Sequence, residues 1–245
     1  MHLRSTVPRL VMTASFLVAT VLILTADDWP NWRGPNHNGI SGESEWSQNW
    51  SESGPRIAWK RNVGTGFSSV SVLGDRLFTM GNDNGTESVF CLNSKIGEEL
   101  WKYSYECPLD PNLFEGGPTS TPTVDGDRVY TISRIGQLFC FDVADGSVVW
   151  RLHLGEDPDA RIPGWGFGGS PLVSGRLLIL NFGSAGLALD KNTGETIWES
   201  EPGDPGYSTP LPFSHQGTNY VVLSSSKYYL AVNEENGEEL WRHRW

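Results

Sequence analysis

The stretch CFDVADGSVVW at residues 140–150 recurs three more times along the chain. Its counterparts are CLNSKIGEELW at 91–101, ALDKNTGETIW at 188–198 and AVNEENGEELW at 231–241. In every copy the first residue is Ala or Cys, the third is Asp or Asn, the seventh is glycine and the eleventh is tryptophan. The glycines are Gly97, Gly146, Gly194 and Gly237, and the tryptophans are Trp101, Trp150, Trp198 and Trp241. Successive tryptophans lie 49, 48 and 43 residues apart, a period typical of the four-stranded blades of a β-propeller.

Each fixed position of this motif has a physical reason. An Asp or Asn side chain at position three can accept a hydrogen bond from the backbone two residues on, which starts a turn. Glycine at position seven can adopt the positive φ that a short hairpin loop requires. Tryptophan at position eleven then lies on the returning strand, where its ring is buried and its indole N–H needs an acceptor. We therefore interpret these glycines and tryptophans as structural anchors rather than active-site residues.

A second hairpin precedes each copy of the motif. Turns containing glycine or aspartate at residues 74–75, 125–127, 174–175 and 215–217 separate short runs of β-forming residues, which is the pattern of hairpins. Each repeat thus predicts four antiparallel strands with the tryptophan on the fourth. The predicted fold is an all-β propeller whose repeat domain spans residues 56–245, with blades at about 66–101, 118–150, 166–198 and 207–241.

The motif, together with the Ser-Thr-Pro runs at 120–122 and 208–210, resembles the quinoprotein-like (PQQ-repeat) β-propeller family over roughly residues 56–245. The resemblance implies that each tryptophan docks between adjacent blades. It also implies one of two functions, a quinone-dependent alcohol dehydrogenase or a non-enzymatic scaffold similar to the outer-membrane protein assembly propeller. A dehydrogenase of this kind is expected to have adjacent cysteines over the cofactor, a calcium site and an aspartate base. The three cysteines here, at 91, 107 and 140, are not adjacent.

The segment RIAWK at 56–60 is typical of one more outer strand, and its Trp59 precedes Trp101 by 42 residues. No first, second or third strand precedes it. In a closed propeller such a strand completes the last blade, yet this sequence stops just after the fourth motif. We expect about four complete blades and one orphan outer strand, as in a fragment of a seven- or eight-bladed ring. The alternative is a self-contained ring of four blades, which leaves Trp59 surplus.

The N-terminus is typical of an export signal. Arg4 and Arg9 precede an uncharged apolar run from Leu10 to Leu24, and Ala26 offers a small residue at a cleavage position. This predicts a signal peptide over residues 1–26 and a periplasmic, cell-surface or secreted protein with no membrane span once the signal is removed. An uncleaved N-terminal anchor is the alternative.

A leader rich in Trp, Pro and Gly follows at residues 27–55. Its aromatic residues Trp29 and Trp32 predict a lid packed on the propeller. A ligand loop that uses Arg33 and His37 is the alternative interpretation of this segment.

Composition restricts the partner. The chain has 18 Lys and Arg against 29 Asp and Glu, a net charge of −11. This balance disfavours nucleic acid and anionic membrane surfaces, because phosphate binding needs clustered cations. The expected partner is a protein or a polysaccharide.

The candidate binding residues lie in two long connections between repeats, 102–118 and 151–167, because loops of this length are often functional. The alternative is that they are tolerated insertions. These loops contain Asp110, Glu115, Arg161, Trp165 and Phe167. No catalytic or metal-binding motif is found in the sequence.

The predicted function is therefore a non-catalytic exported scaffold that binds protein or polysaccharide through its loop face, without a cofactor. The alternative is a partial quinoprotein oxidoreductase, and this alternative requires PQQ with calcium.

Overall fold

The computed structural model describes residues 27–44, 46–110 and 116–245. Its strands form four antiparallel sheets of four strands each, and within every sheet the strands follow chain order. Each sheet is one blade, which confirms the predicted all-β propeller. Blade 1 contains β1 (Ser71–Leu73), β2 (Arg76–Asp83), β3 (Thr86–Asn93) and β4 (Glu99–Glu106); blade 2 contains β5 (Thr123–Asp125), β6 (Arg128–Ile132), β7 (Gln137–Asp142) and β8 (Val148–His153). Blade 3 contains β9 (Leu172–Ser174), β10 (Leu177–Leu180), β11 (Leu187–Asp190) and β12 (Thr196–Glu199); blade 4 contains β13 (Leu211–His215), β14 (Thr218–Ser224), β15 (Tyr228–Asn233) and β16 (Glu239–Arg244). A single 3-10 turn at Leu154–Glu156 follows blade 2 in the described part of the chain.

The motif joins the third and fourth strands of each blade. In blade 2 the Asp142 carboxylate accepts a hydrogen bond from the backbone N–H of Ala144 at 2.8 Å, and Gly146 N–H donates to the Asp142 carbonyl at 2.9 Å. Gly146 has a φ of +73°, a conformation that glycine adopts without steric cost. The first residue of the motif pairs directly across the strands with the tryptophan, in the pairs Cys91–Trp101, Cys140–Trp150, Ala188–Trp198 and Ala231–Trp241. All four of these first residues are fully buried, which favours a small side chain at this position.

Adjacent blades are joined by the tryptophans. Trp101 of blade 1 donates its indole N–H to the carbonyl of Val143, the fourth motif residue of blade 2, at 2.9 Å. A Cβ atom on Gly146 of blade 2 would lie 2.6 Å from the Trp101 ring, so glycine is required both by the turn and by the docked indole. Corresponding indole-to-carbonyl bonds join Trp59 to Ser94, Trp150 to Lys191 and Trp198 to Glu234, at 3.0, 3.0 and 2.7 Å. Trp241 is 41% exposed, because the described residues include no blade beyond blade 4.

The hydrophobic core is divided into three clusters, one at each interface between neighbouring blades. At the interface of blades 1 and 2, for example, Phe78 and Met80 pack with Phe139 and Phe141. Full burial of such a side chain contributes roughly 1.5–3 kcal/mol. Stability is therefore distributed over nearest-neighbour interfaces, as in other repeat proteins.

The Ser-Thr-Pro runs link the blades near their inner strands. Ser69 N–H donates to the Thr121 hydroxyl at 3.3 Å, and Thr121 N–H donates to the Ser170 hydroxyl at 2.8 Å. Ser170 N–H in turn donates to the Thr209 hydroxyl at 2.9 Å. Each of these side-chain oxygens accepts a hydrogen bond from a backbone N–H of the preceding repeat. These bonds hold neighbouring blades together at the start of each repeat.

The structure differs from the sequence predictions at the segment 56–60 and at the start of the two long connections. Residues 56–60 belong to none of the four sheets. An outer strand pairs with the third strand of its own blade, and the described residues include no such strand for this segment. Trp59 nevertheless docks on blade 1 as an outer-strand tryptophan does. The fourth strands of blades 1 and 2 extend to Glu106 and His153, so the connections that follow them begin later than predicted and span residues 107–122 and 154–171.

The leader lies against the inner strands of blades 1 and 2. Trp29 exchanges two backbone hydrogen bonds with Val72 of β1, at 2.9 and 2.8 Å, and the Pro30 carbonyl accepts from Val124 N–H of β5 at 2.7 Å. The Trp29 ring lies over Gly34, whereas Trp32 is largely exposed. The predicted signal peptide, residues 1–26, lies outside the described residues.

Candidate functional site

The connections between blades and the central turns of the blades share one face of the propeller, the loop face. Arg134, in the central turn of blade 2, donates to the Pro108 carbonyl and forms a 2.7 Å ion pair with Asp110 of the preceding connection. Phe167 N–H of the next connection donates to the Arg134 carbonyl at 2.9 Å. The central turns therefore hold the connections in place, and side chains that project from these connections define the surface available to a partner.

A cleft of about 500 Å³ opens on this face between the loops of blades 3 and 4. We call it the aromatic cleft. It is lined by residues 161–164, residues 204–208, residues 224–226, Tyr229 and Trp245. Its volume falls in the range of roughly 300–1,000 Å³ that is usual for sites of small ligands.

Two aromatic pairs border the aromatic cleft. The Trp165 ring lies 5.4 Å from the Tyr207 ring, and the two side chains are 63% and 45% exposed. The rings of Tyr229 and Trp245, which line the cleft, are 6.0 Å apart and also exposed. Exposed rings in contact with one another present a contiguous apolar surface, which marks interaction sites more often than single exposed residues do.

The polar groups of the aromatic cleft are an ion pair and a row of serines. Arg161 lies 3.1 Å from the Asp204 carboxylate, and both side chains are more than half exposed. Ser225 and Ser226 come from the central turn of blade 4. The hydroxyl of Ser208 is hydrogen-bonded to that of Ser224 at 2.8 Å. These groups supply both donors and acceptors beside the aromatic rings.

The backbone around the aromatic cleft is already paired. Gly206 N–H donates to the Ser224 carbonyl and Ser226 N–H donates to the Asp204 carbonyl, each at 3.0 Å. A β-bridge between Pro205 and Ser225 lies between these two bonds. The peptide groups that make these bonds are therefore not available to a ligand, whereas the Asp204 side chain is.

The predicted binding residues occupy different environments. Arg161 and Trp165 lie in and beside the aromatic cleft. Phe167 is only 3% exposed and stacks on Phe182 in the core between blades 2 and 3, so its ring is not on the binding surface. Asp110 pairs with Arg134 at the interface of blades 1 and 2. Glu115 lies outside the described residues.

Sequence reasoning missed the other half of the aromatic cleft, Asp204, Tyr207 and the serines. The connection that contains Asp204 and Tyr207 is shorter than the two that were selected by length. The aromatic and charged composition of residues 200–210, rather than the length of this connection, was the feature of the sequence that could have indicated these residues.

A buried polar network lies between blades 1 and 2. Glu87 on β3 is fully buried, and its Oε1 accepts a 2.6 Å hydrogen bond from the Tyr105 hydroxyl. Its Oε2 has no hydrogen-bond partner among the described residues. Burial raises the pKa of Glu87 from 4.5 to about 7, although Tyr105, Cys107 and Arg134 oppose the shift. Burial also raises the pKa of the Cys107 thiol, to about 12. This network is enclosed in the protein and does not open into the aromatic cleft.

A quinone site with calcium can be tested against the residues present. All three cysteines are free and buried, and Cys91 and Cys140 are the small residues opposite Trp101 and Trp150. Within residues 27–44, 46–110 and 116–245, no three His, Cys, Asp or Glu side chains converge to hold a metal ion. The described residues therefore contain no counterpart of the adjacent cysteines and calcium ligands that the resemblance implies. The same residues also contain no helix that is long and apolar enough to span a membrane.

Blades joined by tryptophan-to-carbonyl bonds, with a glycine beneath each docked ring, define the chain as a PQQ-type repeat propeller. The family model for outer membrane protein assembly factor BamB matches residues 37–189 and 187–245. The chain therefore belongs to this family.

Individual relatives agree on the fold. A 1-butanol dehydrogenase (quinone) from Thauera butanivorans is 28% identical over 123 residues, which cover 45% of this chain and 19% of that protein. The quinohemoprotein alcohol dehydrogenase of Comamonas testosteroni superposes with a TM-score of 0.61 at 16% identity, over 89% of this chain and 41% of the other. BamB from Moraxella catarrhalis superposes with a TM-score of 0.50 at 19% identity, over 78% and 68%. The chain spans about a fifth of the length of the curated relatives that it matches.

Proposed function

We propose that this chain is an exported, non-catalytic propeller scaffold that binds a protein or a polysaccharide through its loop face. The observation behind the proposal is the aromatic cleft. Its groups are exposed rings, an ion pair in which each charge neutralises the other, and serine hydroxyls, all of which suit recognition. Glu87, whose pKa of about 7 would suit proton transfer, is buried at another interface.

Export is part of this proposal and rests on the sequence of residues 1–26. Removal of a signal peptide after Ala26 leaves Asp27 as the first residue of the leader, which pairs with blades 1 and 2 through Trp29 and Pro30. Expression of the full chain in a Gram-negative host, followed by fractionation and N-terminal sequencing, tests it. We expect the exported protein to begin at Asp27. A protein that stays in the cytoplasm contradicts export, and an exported protein that retains Met1 indicates the uncleaved anchor instead.

A dye-reduction assay tests the absence of catalysis. The full chain is incubated with PQQ and Ca²⁺, primary alcohols are added, and reduction of an artificial electron acceptor is followed, with an established quinoprotein alcohol dehydrogenase as the positive control. We expect no quinone-dependent reduction above the protein-free blank. Turnover that requires both the quinone and the alcohol would overturn the scaffold proposal.

A quinoprotein oxidoreductase is the second candidate, because the Thauera butanivorans relative is a quinone-dependent dehydrogenase. This candidate requires the chain to retain PQQ in the presence of calcium. Gel filtration of the mixture, monitored at the absorption band of the quinone, measures that retention. Elution of all quinone at the small-molecule volume, even at saturating concentrations, removes this candidate.

A further inference from the structure

The aromatic cleft combines three surfaces that one class of ligand uses together. At its rim, Trp165 contacts the lining residue Tyr207 and presents an exposed ring face. Arg161 and Asp204 present a paired cation and anion, and the exposed residues Ser208 and Ser226 present hydroxyls. We infer that the aromatic cleft binds a neutral polysaccharide. This inference rests on the proposed function and specifies its ligand class.

The exposed rings explain the apolar side of the interaction. Trp165 is 63% exposed although its ring lies 5.4 Å from the Tyr207 ring, tilted at 34°. The backbone N–H of Trp165 also lies 3.4 Å from the Tyr207 hydroxyl, so the two residues form a defined platform. A pyranose ring has a face of C–H groups that matches the electron-rich face of an aromatic ring in both shape and charge. Stacking of a sugar on this platform therefore removes apolar surface of both partners from water.

The charges explain why the ligand is neutral. Arg161 and Asp204 neutralise each other at 3.1 Å, so the aromatic cleft presents no excess charge of either sign. An anionic or cationic chain would have to break this pair and leave one member unpaired. Sugar hydroxyls can instead donate to the carboxylate and accept from the guanidinium without separating the two charges. A purely apolar ligand would cover this ion pair without offering either charge a hydrogen bond in place of water.

The paired backbone argues against a peptide as the occupant. A peptide that adds as an extra strand needs free N–H and C=O groups along one edge. Here the peptide groups of Asp204 and Gly206 are bonded to Ser226 and Ser224. Recognition at this wall therefore depends on side chains, which suits a ligand that offers hydroxyls and ring faces.

Binding of purified glycans to the full chain tests the inference. Isothermal titration calorimetry is performed with a soluble β-glucan, with dextran, with the polyanion alginate and with polyvinyl alcohol, which has hydroxyls but no ring face. We expect at least one of the two neutral glycans to bind and alginate and polyvinyl alcohol not to bind. Failure of both glucans to bind at millimolar sugar, or equal binding of polyvinyl alcohol, overturns the inference. A failure of glycan binding does not overturn the proposal of a non-catalytic scaffold, because the dye-reduction assay tests that proposal separately.

Variants locate the site. Trp165→Ala should weaken glucan binding by about tenfold or more, as truncation of a central aromatic contact does, and Trp165→Phe should restore most of it. Trp46→Ala is the matched control, because Trp46 is 65% exposed but lies in the leader. Urea unfolding midpoints of all three variants should equal that of the wild type, since both residues are exposed. Equal losses in Trp46→Ala and Trp165→Ala contradict the placement. A protein association that Trp165→Ala weakens while glucan binding stays intact would assign the aromatic cleft to a protein instead.

Discussion

The substitution Glu87→Gln tests the buried network between blades 1 and 2. The Glu87 carboxyl is fully buried, accepts one hydrogen bond from Tyr105, and has one oxygen without a partner among the described residues. Its pKa is raised from 4.5 to about 7, with burial as the largest cause. Since each pH unit between the folded and unfolded pKa values corresponds to about 1.4 kcal/mol, ionised Glu87 destabilises the folded state by about 3 kcal/mol.

The sign of the pH dependence follows from proton binding. Between pH 4.5 and 7 the folded protein keeps the Glu87 proton while the unfolded chain has released it, so the folded state binds more protons. The free energy of unfolding therefore falls as pH rises through this window. Below pH 4.5 both states are protonated and the destabilisation is absent, and above pH 7 it is fully present. Glutamine keeps the shape and the acceptor for Tyr105 but cannot ionise.

Urea denaturation at several pH values measures the effect, because urea leaves charge interactions unscreened. At pH 8 we expect Glu87→Gln to be more stable than the wild type by about 2–3 kcal/mol. The difference should shrink as the pH falls and vanish near pH 4.5. Glu98→Gln, at an exposed position on the β3–β4 turn, is the matched control and should show no such trend. A variant that is less stable than the wild type at pH 8, or a difference that does not change with pH, refutes the reasoning.

Two further pairs of substitutions test the contacts between blades, with urea unfolding as the measurement. Trp101→Phe keeps a ring but loses the 2.9 Å bond to the Val143 carbonyl, so it should lower the free energy of unfolding by more than about 1 kcal/mol. Trp241→Phe, at an exposed ring, should change it by less than about 0.5 kcal/mol. Equal losses in the two variants would contradict the docking of Trp101. Gly146→Ala should lower the free energy of unfolding by about 1 kcal/mol because of its positive φ, and by more because its Cβ would lie 2.6 Å from the Trp101 ring. Gly175 has a φ of +55° and no atom within 4 Å of an added Cβ. Gly175→Ala should therefore show the φ penalty alone. Equal costs at the two glycines would mean that the indole does not restrict position seven.

The blades were predictable because the motif is local. The turn bonds of Asp142 and Gly146, the shift of strand register after Cys140, and the pairing of a small residue with the tryptophan all lie within eleven residues. The burial of Glu87 was not predictable, because a carboxyl in the run Thr86-Glu87-Ser88 is typical of a solvent-facing strand position. Its surroundings include Cys107, which is bonded to Gly85 and Asn82 of blade 1, and Arg134 of blade 2, so they depend on contacts beyond the strand itself.

The aromatic cleft was only half predictable for a related reason. Long connections drew attention to Arg161 and Trp165, yet length also selected Phe167, which the stacking of blades 2 and 3 places in the core. The partners of Arg161 and Trp165, namely Asp204 and Tyr207, lie more than forty residues later in the sequence. Only the arrangement of blades 3 and 4 brings the two connections together.

The repeat and the aromatic cleft place opposite demands on the sequence. Each motif glycine must satisfy a turn of its own blade and the indole of the preceding blade, so substitution there affects two contacts at once. The connections on the loop face contribute few of these contacts, and their peptide groups are satisfied by neighbouring central turns, as Gly206 is by Ser224. Side chains such as Trp165 and Arg161 can therefore change without loss of the fold. Because the fold constrains these side chains so little, the exposed Trp165–Tyr207 contact and the Arg161–Asp204 pair support the proposed ligand site rather than a role in stability.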